Sequence, residues 1–571
     1  MIRFINGKEE TYRLLFKSVV ICSFCFLVCC NKRINTKETS FFNVSSIAIT
    51  KSSDSVFFYE PLNCYLTIKE DPYEIHNINE RIRHLSEYIY ESSDSIDNKP
   101  IFEDKKPSHR AIKIIPQTIQ EYERLINDST IMVSPIPFGC SIVGGETRLK
   151  NVENFTNESY SDDMIPCCID SPNGKERPFN PYPLYLTLPI NDSLPEGSEL
   201  LYDVYIPSDN TCLDTLLSAS IAGLINDSIR EPIDLNDIKQ RVRRMWSGTF
   251  SSYDEVLGTY VPLKYIEVLI ANGAATTKYT TNNTGQLSFP ISVPTSANII
   301  IGLRNSTFTI NADSVFSYLL LGTLQSFKNS SPAFTYTVQC PYHFRYQVYN
   351  AAAYYFYSSN LIFNIMDRIN EVISGPFVIN AFSHDGDKAG YFKMSSSPFI
   401  NVWEYYLTGP HRASYNTCTV LHELGHATHY ATNGLYGMAA SDNYVKESFA
   451  SFFSWYCMKD YYSSVLDSTQ TINDICHQGR QSWQLSSNSC YTPFYVDLYD
   501  TYNQHSDNYL NVDDNISISL LVVRNSALGC NSLQGSYDYL QNFYNVYNPS
   551  LYDPSHMATM VSYYGNLIST D

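Results

Sequence analysis

Thr417-Cys-Thr-Val-Leu-His-Glu-Leu-Gly-His-Ala-Thr-His-Tyr430 decides how the C-terminal part of this chain is read. Its apolar spacing predicts a helix, and His422, Glu423 and His426 form H-E-x-x-H within it. Residues i and i+4 share one helix face about 6 Å apart along the axis, so both Nε2 atoms can reach one ion. Glu423, one step round the helix, then stands beside the open coordination position, where it can act as general base toward water. The alternative, an accidental match, sits poorly with the apolar helical context. The pattern predicts a catalytic Zn2+.

Catalytic zinc sites take three protein ligands and leave the fourth position to water. His429 shares the stripe of His422 and His426 but lies seven residues past His422, about 10 Å along a straight helix, and reads as a core or supporting histidine. Asp442 is within reach, yet Ala440-Ser-Asp-Asn443 reads as a turn and helix cap. Glu447 is better placed, in a second helix predicted over Asn443 to Met458, whose apolar positions would otherwise bury a carboxylate without reason.

H-E-x-x-H followed twenty-one residues later by Glu in K-E-S-F-A resembles the gluzincin metallopeptidases, which include thermolysin and aminopeptidase N. In aminopeptidase-like members the third-ligand helix reads N-E-G-F-A, so Glu447, Phe449 and Ala450 match and Ser448 replaces the Gly. The gap differs by a few residues from those families. Thermolysin-like enzymes place an Asp four residues after the ligand Glu to orient a ligand His, where this chain has Ser451. The resemblance implies an α+β peptidase domain over residues 314–571, with His422, His426 and Glu447 on zinc and Glu423 as the base. Within it, Tyr346 to Tyr357 reads as a helix packing under the site. Ser397 to Trp403 reads as a strand near the cleft, and in gluzincins an edge strand pairs with the substrate backbone. Tyr495, Tyr491 and His505 are candidates for stabilising an oxyanion.

Upstream, residues 241–313 carry short strands between Asn, Thr and Gly turns: Tyr260 to Ile270, Thr277 to Thr280, Gly285 to Pro290 and Ala297 to Ile301. This resembles the carboxypeptidase regulatory-domain family, a transthyretin-like β-sandwich, and implies a spacer or docking module. Residues 55–240 read as a β-rich N-terminal domain. Its strands lie at Pro107 to Pro116, Tyr182 to Pro189 and Ser198 to Ile206, with a helix over Asn77 to Tyr90 and a short one around Thr118 to Leu125. The expected fold class is therefore multidomain: a β-rich N-terminal region, a transthyretin-like sandwich and an α+β gluzincin-like domain.

The N-terminus supplies an address. Arg3, Lys8, Arg13 and Lys17 precede the apolar stretch Ser18 to Val28, too short for a comfortable membrane span, so residues 1–30 read as a signal peptide. Leu27-Val-Cys-Cys30 resembles the bacterial lipobox, which implies lipidation of Cys30 and a tether over residues 31–54. The order of these parts is similar to surface metallopeptidases of Bacteroidetes-type bacteria, which implies an extracytoplasmic protein lipid-anchored to a bacterial, outer, membrane.

A formal net charge of −19 argues against a nucleic-acid partner. Of 15 Cys, four lie in the signal region, counting Cys30, and the odd remainder cannot all pair internally. The expected function is a membrane-tethered zinc peptidase acting on extracytoplasmic proteins or peptides. The alternative is a non-catalytic surface lipoprotein that binds protein or glycan ligands on the same scaffold.

Overall fold

In a computed structural model, the described residues are 57–59, 65–68, 70–92, 102–143, 147–151, 183–208, 211–225, 235–311, 318–340, 343–386, 389–406, 413–465, 492, 494–499 and 518–547. The signal peptide, Cys30, the tether, Tyr491 and His505 lie outside them. All described residues belong to the compact unit Asn43–Asp571, and the fold is α+β with a helical C-terminal part.

Near the N-terminal side, the amphipathic helix Ile75–Ser92 buries Ile78, Ile82 and Leu85 against Leu216 and Leu217 of the helix Cys212–Ile221. The helix Ile119–Asn127 begins where the Thr118 hydroxyl accepts from Glu121 N, satisfying one of the amides that a helix start leaves without a partner. An antiparallel sheet runs in the order Met132–Ser134, Leu184–Pro189, His109–Ile114, Glu199–Val204.

A six-stranded sheet follows, ordered Phe57–Tyr59, Thr147–Asn151, Tyr318–Thr323, Asn298–Gly302, Glu267–Asn272, Ala275–Thr280. Its central strands are near-continuous apolar runs because both faces are covered. Val268, Ile270, Ile299 and Ile301 face a second sheet, while Leu269, Ala271, Ile300 and Leu320 pack on Ile112 and Leu186 of the N-terminal sheet. Full burial of each Ile or Leu is worth about 1.5–3 kcal/mol, so these runs are held from both sides. The second sheet is centred on β1 (Met245–Asp254), which pairs with Thr259–Pro262, Gln286–Pro290 and, in parallel, Thr335–Cys340.

The single strand expected over Tyr260 to Ile270 is in fact two, Thr259–Pro262 in one sheet and Glu267–Asn272 in the other. Tyr265, at φ 56°, turns the chain between them. Strands on both sides of residue 313 share these sheets, since Tyr318–Thr323 pairs with Asn298–Gly302 and Thr335–Cys340 with β1.

A further four-stranded sheet flanks the site. Its strands are β2 (Phe308–Asn311), β3 (Phe377–Gly386), β4 (Gly390–Lys393) and β5 (Phe399–Tyr406), in the order β2-β3-β5-β4. Only the β4–β5 pair is antiparallel. The helix α1 (Phe344–Tyr357) is buried on nearly every side, which explains its aromatic and alanine-rich sequence. The helices α2 (Ala413–Ala440) and α3 (Asn443–Tyr461) complete the layer. Gly434, at φ 68°, kinks α2. One hydrophobic core runs from Trp246 through the two facing sheets, α1, α2 and α3 to Leu540. Among the described residues no helix is long and apolar enough to cross a membrane.

Candidate metal centre

Helices α2 and α3 form an antiparallel hairpin, visible in the descending order of its contacts. Cys418 Sγ lies 3.8 Å from Ser454 Oγ, Gly425 abuts Ala450, and both His422 and His426 meet Glu447. The turn between the helices is closed by Asp442, whose side chain accepts from Val445 N at 2.7 Å, so Asp442 is a helix cap as its context suggested.

Gly425, inside the motif itself, sets the separation of the two helices. A Cβ there would stand 2.9 Å from Ala450 Cα and 3.1 Å from Phe453 Cβ, and a backbone atom cannot swing away. A mid-helix glycine costs about 1 kcal/mol relative to alanine, and here that cost is offset by close approach of the backbones. Glu447 can then reach both imidazoles from the neighbouring helix.

The reach is direct. Glu447 Oε2 lies 3.2 Å from His422 Nε2 and 3.3 Å from His426 Nε2. The ligating atoms of the three residues all fall within 4.8 Å of one another. Tetrahedral ligands about 2.0–2.1 Å from zinc stand about 3.3 Å apart, so both Glu447 separations suit that edge. Two imidazole nitrogens and one carboxylate oxygen are also the donor set of a three-ligand catalytic zinc site. His422 and His426 are 7 % exposed, so an ion here would be shielded from bulk water.

The electrostatics are those of a site arranged around positive charge. Burial raises the Glu447 pKa, but the adjacent His426 and the hydrogen bonds from both imidazoles outweigh it and hold the carboxyl well below its usual range. Burial lowers the His426 pKa, yet Glu447, and more weakly Glu423, leave it above the ordinary histidine value. Two imidazoles and a carboxylate thus compete for protons where an ion of matching charge would satisfy all three.

Glu423 is buried on α2 with β4 directly beside it. A Cβ at Gly390 would stand 2.7 Å from Thr419 Cγ2 and 3.1 Å from Glu423 Oε1, so the strand passes Glu423 with no side chain between. Tyr430 secures this approach. Its hydroxyl donates to Ser395 O at 3.1 Å and its ring packs on Phe392, tying the β4–β5 hairpin to α2. The strand expected near the cleft is present, but it is interior to its sheet. Of the stretch Ser397 to Trp403, Phe399 to Trp403 fall in β5, which is flanked by β3 and β4, and the edge beside Glu423 is Gly390–Lys393. Four residues, none of them β-branched, gave β4 little strand signal of its own.

His429 is fully buried against Phe449, with ring centroids 5.8 Å apart, and belongs to no ligand group among the described residues. Neither ring nitrogen has a hydrogen-bond partner among the described residues. Burial, reinforced by His426 and Lys446, pushes its pKa down to about 3, so it is a neutral core ring. Tyr495 is also fully buried, its hydroxyl 2.9 Å from Ser536 Oγ. Ser448 faces Thr492, their hydroxyls 2.7 Å apart, which fixes the segment after Tyr491 to the residue next to Glu447. Gly425 and Gly390 are the site-shaping residues that motif reading passed over. The signal for Gly425 was a glycine conserving no turn inside a strongly helical pattern.

No family model matches the chain, and no curated protein matches it. The functional reading therefore rests on the site itself, a buried His422-His426-Glu447 group that fits an H-E-x-x-H…E metal centre.

Proposed function

We propose that this chain is a zinc-dependent peptidase acting on extracytoplasmic proteins or peptides and held at a membrane through a lipid on Cys30. The observation that carries the reading is the single carboxylate oxygen of Glu447 at 3.2 and 3.3 Å from two imidazoles that H-E-x-x-H places on one face of α2. Zinc held by His422, His426 and Glu447 would supply Lewis-acid polarisation of a scissile carbonyl and acidify water. Glu423 takes the proton of the attacking water and returns it to the departing amine nitrogen. Its carboxylate is close enough to His426 to affect that ring's protonation. A peptide substrate is favoured by β4, a sheet edge beside Glu423 where an extended chain can add by main-chain hydrogen bonds.

The test is Glu423→Gln in the full chain. The variant keeps size and polarity but has no base, so zinc content measured by elemental analysis stays stoichiometric. Hydrolysis of a broad peptide library falls by at least about 10²-fold. Equal cleavage by wild type and variant would refute the assigned role, and absence of zinc from the wild type after reconstitution would refute the centre. The anchor is tested separately, because Cys30→Ala abolishes labelling by a fatty-acid probe.

A further inference from the structure

We infer that Asp254, on the sandwich strand β1, is a positioning residue for the metal centre and acts through Gln347, Thr417 and Tyr462. The inference rests on the metal reading of His422, His426 and Glu447 and names what holds their two helices in register.

Asp254 is fully buried at the end of β1. Its Oδ1 accepts from the amides of Val256 at 2.9 Å and Leu257 at 3.1 Å, which fixes the carboxylate plane against its own turn. Its Oδ2 faces away from the sandwich and receives Gln347 Nε2 of α1 at 3.2 Å and the Tyr462 hydroxyl, just past α3, at 3.3 Å. Gln347 Nε2 also meets Thr417 Oγ1 of α2, and Thr417 Oγ1 lies 3.2 Å from Tyr462 Oη. Gln347, Thr417 and Tyr462 are all at most 1 % exposed.

Counting protons gives the contacts around the ring a consistent direction. A carboxylate only accepts, so Gln347 uses one amide proton on Asp254 and the other on Thr417. Thr417 then donates to Tyr462, and Tyr462 donates to Asp254. The four groups close a ring that is braced across its middle by Gln347 Nε2, 3.1 Å from the Tyr462 oxygen. Were Tyr462 to donate to Thr417 instead, its oxygen and the Asp254 carboxylate, two acceptors, would face each other in a buried place, at the cost of an unsatisfied polar group.

The ring joins the two helices that carry the metal ligands. Thr417 is five residues before His422 on α2, about 7.5 Å along the axis. Tyr462 follows the end of α3, whose other end carries Glu447. The hairpin is therefore pinned at its far end by a carboxylate from outside it. A slip of one residue along either helix moves a side chain by about 1.5 Å, enough to break the contacts of Glu447 Oε2 with both imidazoles. A second rung, Tyr355 of α1 at 3.0 Å from Thr428 Oγ1, holds α2 just past His426, so α1 brackets the motif from both sides. In this arrangement the sandwich is part of the support of the centre.

Asp254→Asn is nearly isosteric but cannot keep the ring. Whichever way the amide is turned, its NH2 faces either two backbone donors or Gln347 and Tyr462. Thr417→Val removes the bridging hydroxyl at equal volume, and Thr417→Ser keeps it. The experiment loads the full chain with Co2+, records the d–d spectrum, and measures metal affinity by chelator competition alongside the thermal melt. Asp254→Asn and Thr417→Val are expected to weaken metal binding about tenfold, the lower end for loss of an orienting outer partner, and to shift the spectrum. Thr417→Ser restores both. The double variant Asp254→Asn/Thr417→Val is no weaker than the worse single one, because both break the same ring. Variants that melt earlier yet bind Co2+ with wild-type affinity and spectrum overturn the proposal and leave the metal centre standing. Should Asp254→Asn fail to fold, the Thr417 pair decides alone. A wild type that takes up no Co2+ overturns the metal reading and this proposal with it.

Discussion

The two ends of the α2–α3 hairpin solve the burial of polar groups in opposite ways. At the Tyr462 end, Asp254, Gln347, Thr417 and Tyr462 satisfy one another in a closed ring. At the Glu447 end, one carboxylate oxygen faces two imidazoles whose combined donor set suits an ion, and neutral His429 lies beyond them with both ring nitrogens lacking hydrogen-bond partners among the described residues. The closed end ties α2 and the end of α3 to β1 and α1. The other end is a set of donors whose electrostatics favour added positive charge. Between them, Gly425 against Ala450 brings the helices close enough for one to serve the other.

The sharpest break of this contrast is Glu447→Ala, which removes a proposed ligand where the ring variants remove only support. It is predicted to weaken zinc binding by more than about 100-fold, beyond the range for outer partners, while His429→Leu and Asp442→Asn bind zinc far more nearly as wild type does. Chelator competition measures all three, and equal losses would mean the third ligand is misassigned. Next comes Gly425→Ala, which forces α2 from α3 at the centre. Overpacking of this kind costs about 1–3 kcal/mol in denaturant unfolding, and zinc affinity is predicted to fall with it. Unchanged stability and affinity would show that the close approach is not needed.

His429 gives a pH test of the under-satisfied end. Its folded pKa of about 3 lies below the unfolded value of 6.5, so the unfolded chain takes the proton first as pH falls. The native state is therefore progressively disfavoured from about pH 6.5 down toward pH 3. By pH 5 the loss from this residue is about 2 kcal/mol. Unfolding of chelator-treated wild type and His429→Leu at pH 7.5 and pH 5 isolates it, because the variant lacks that increment; a pH-independent difference between the two would remove the assignment. The smallest predicted effect is at β4. Gly390→Ala sets a Cβ against Thr419 and Glu423, so zinc content stays normal while kcat/KM for peptides drops about tenfold, equivalent to about 1.4 kcal/mol. Loss of zinc instead would place Gly390 in the support of the ligands and away from the cleft.

Much of the candidate site was legible in the chain because helical spacing is local. His422 and His426 share a face through backbone geometry alone, the cap at Asp442 follows from its neighbours, and the helices Ile75–Ser92 and Asn443–Tyr461 come from periodicity. Glu447 was reachable because a carboxylate among apolar helix positions needs a partner. What only the tertiary structure decided are contacts between residues far apart in sequence. Asp254 meets Gln347 across 93 positions and Tyr462 across 208, and no local pattern in β1 marks its carboxylate for that use. The edge position of Gly390–Lys393, the core shared across residue 313 and the crossing of the chain at Tyr265 are likewise outcomes of sheet order and packing. Spacing along one helix is set by covalent geometry, whereas which helix or strand lies beside it depends on how all the apolar faces are buried together.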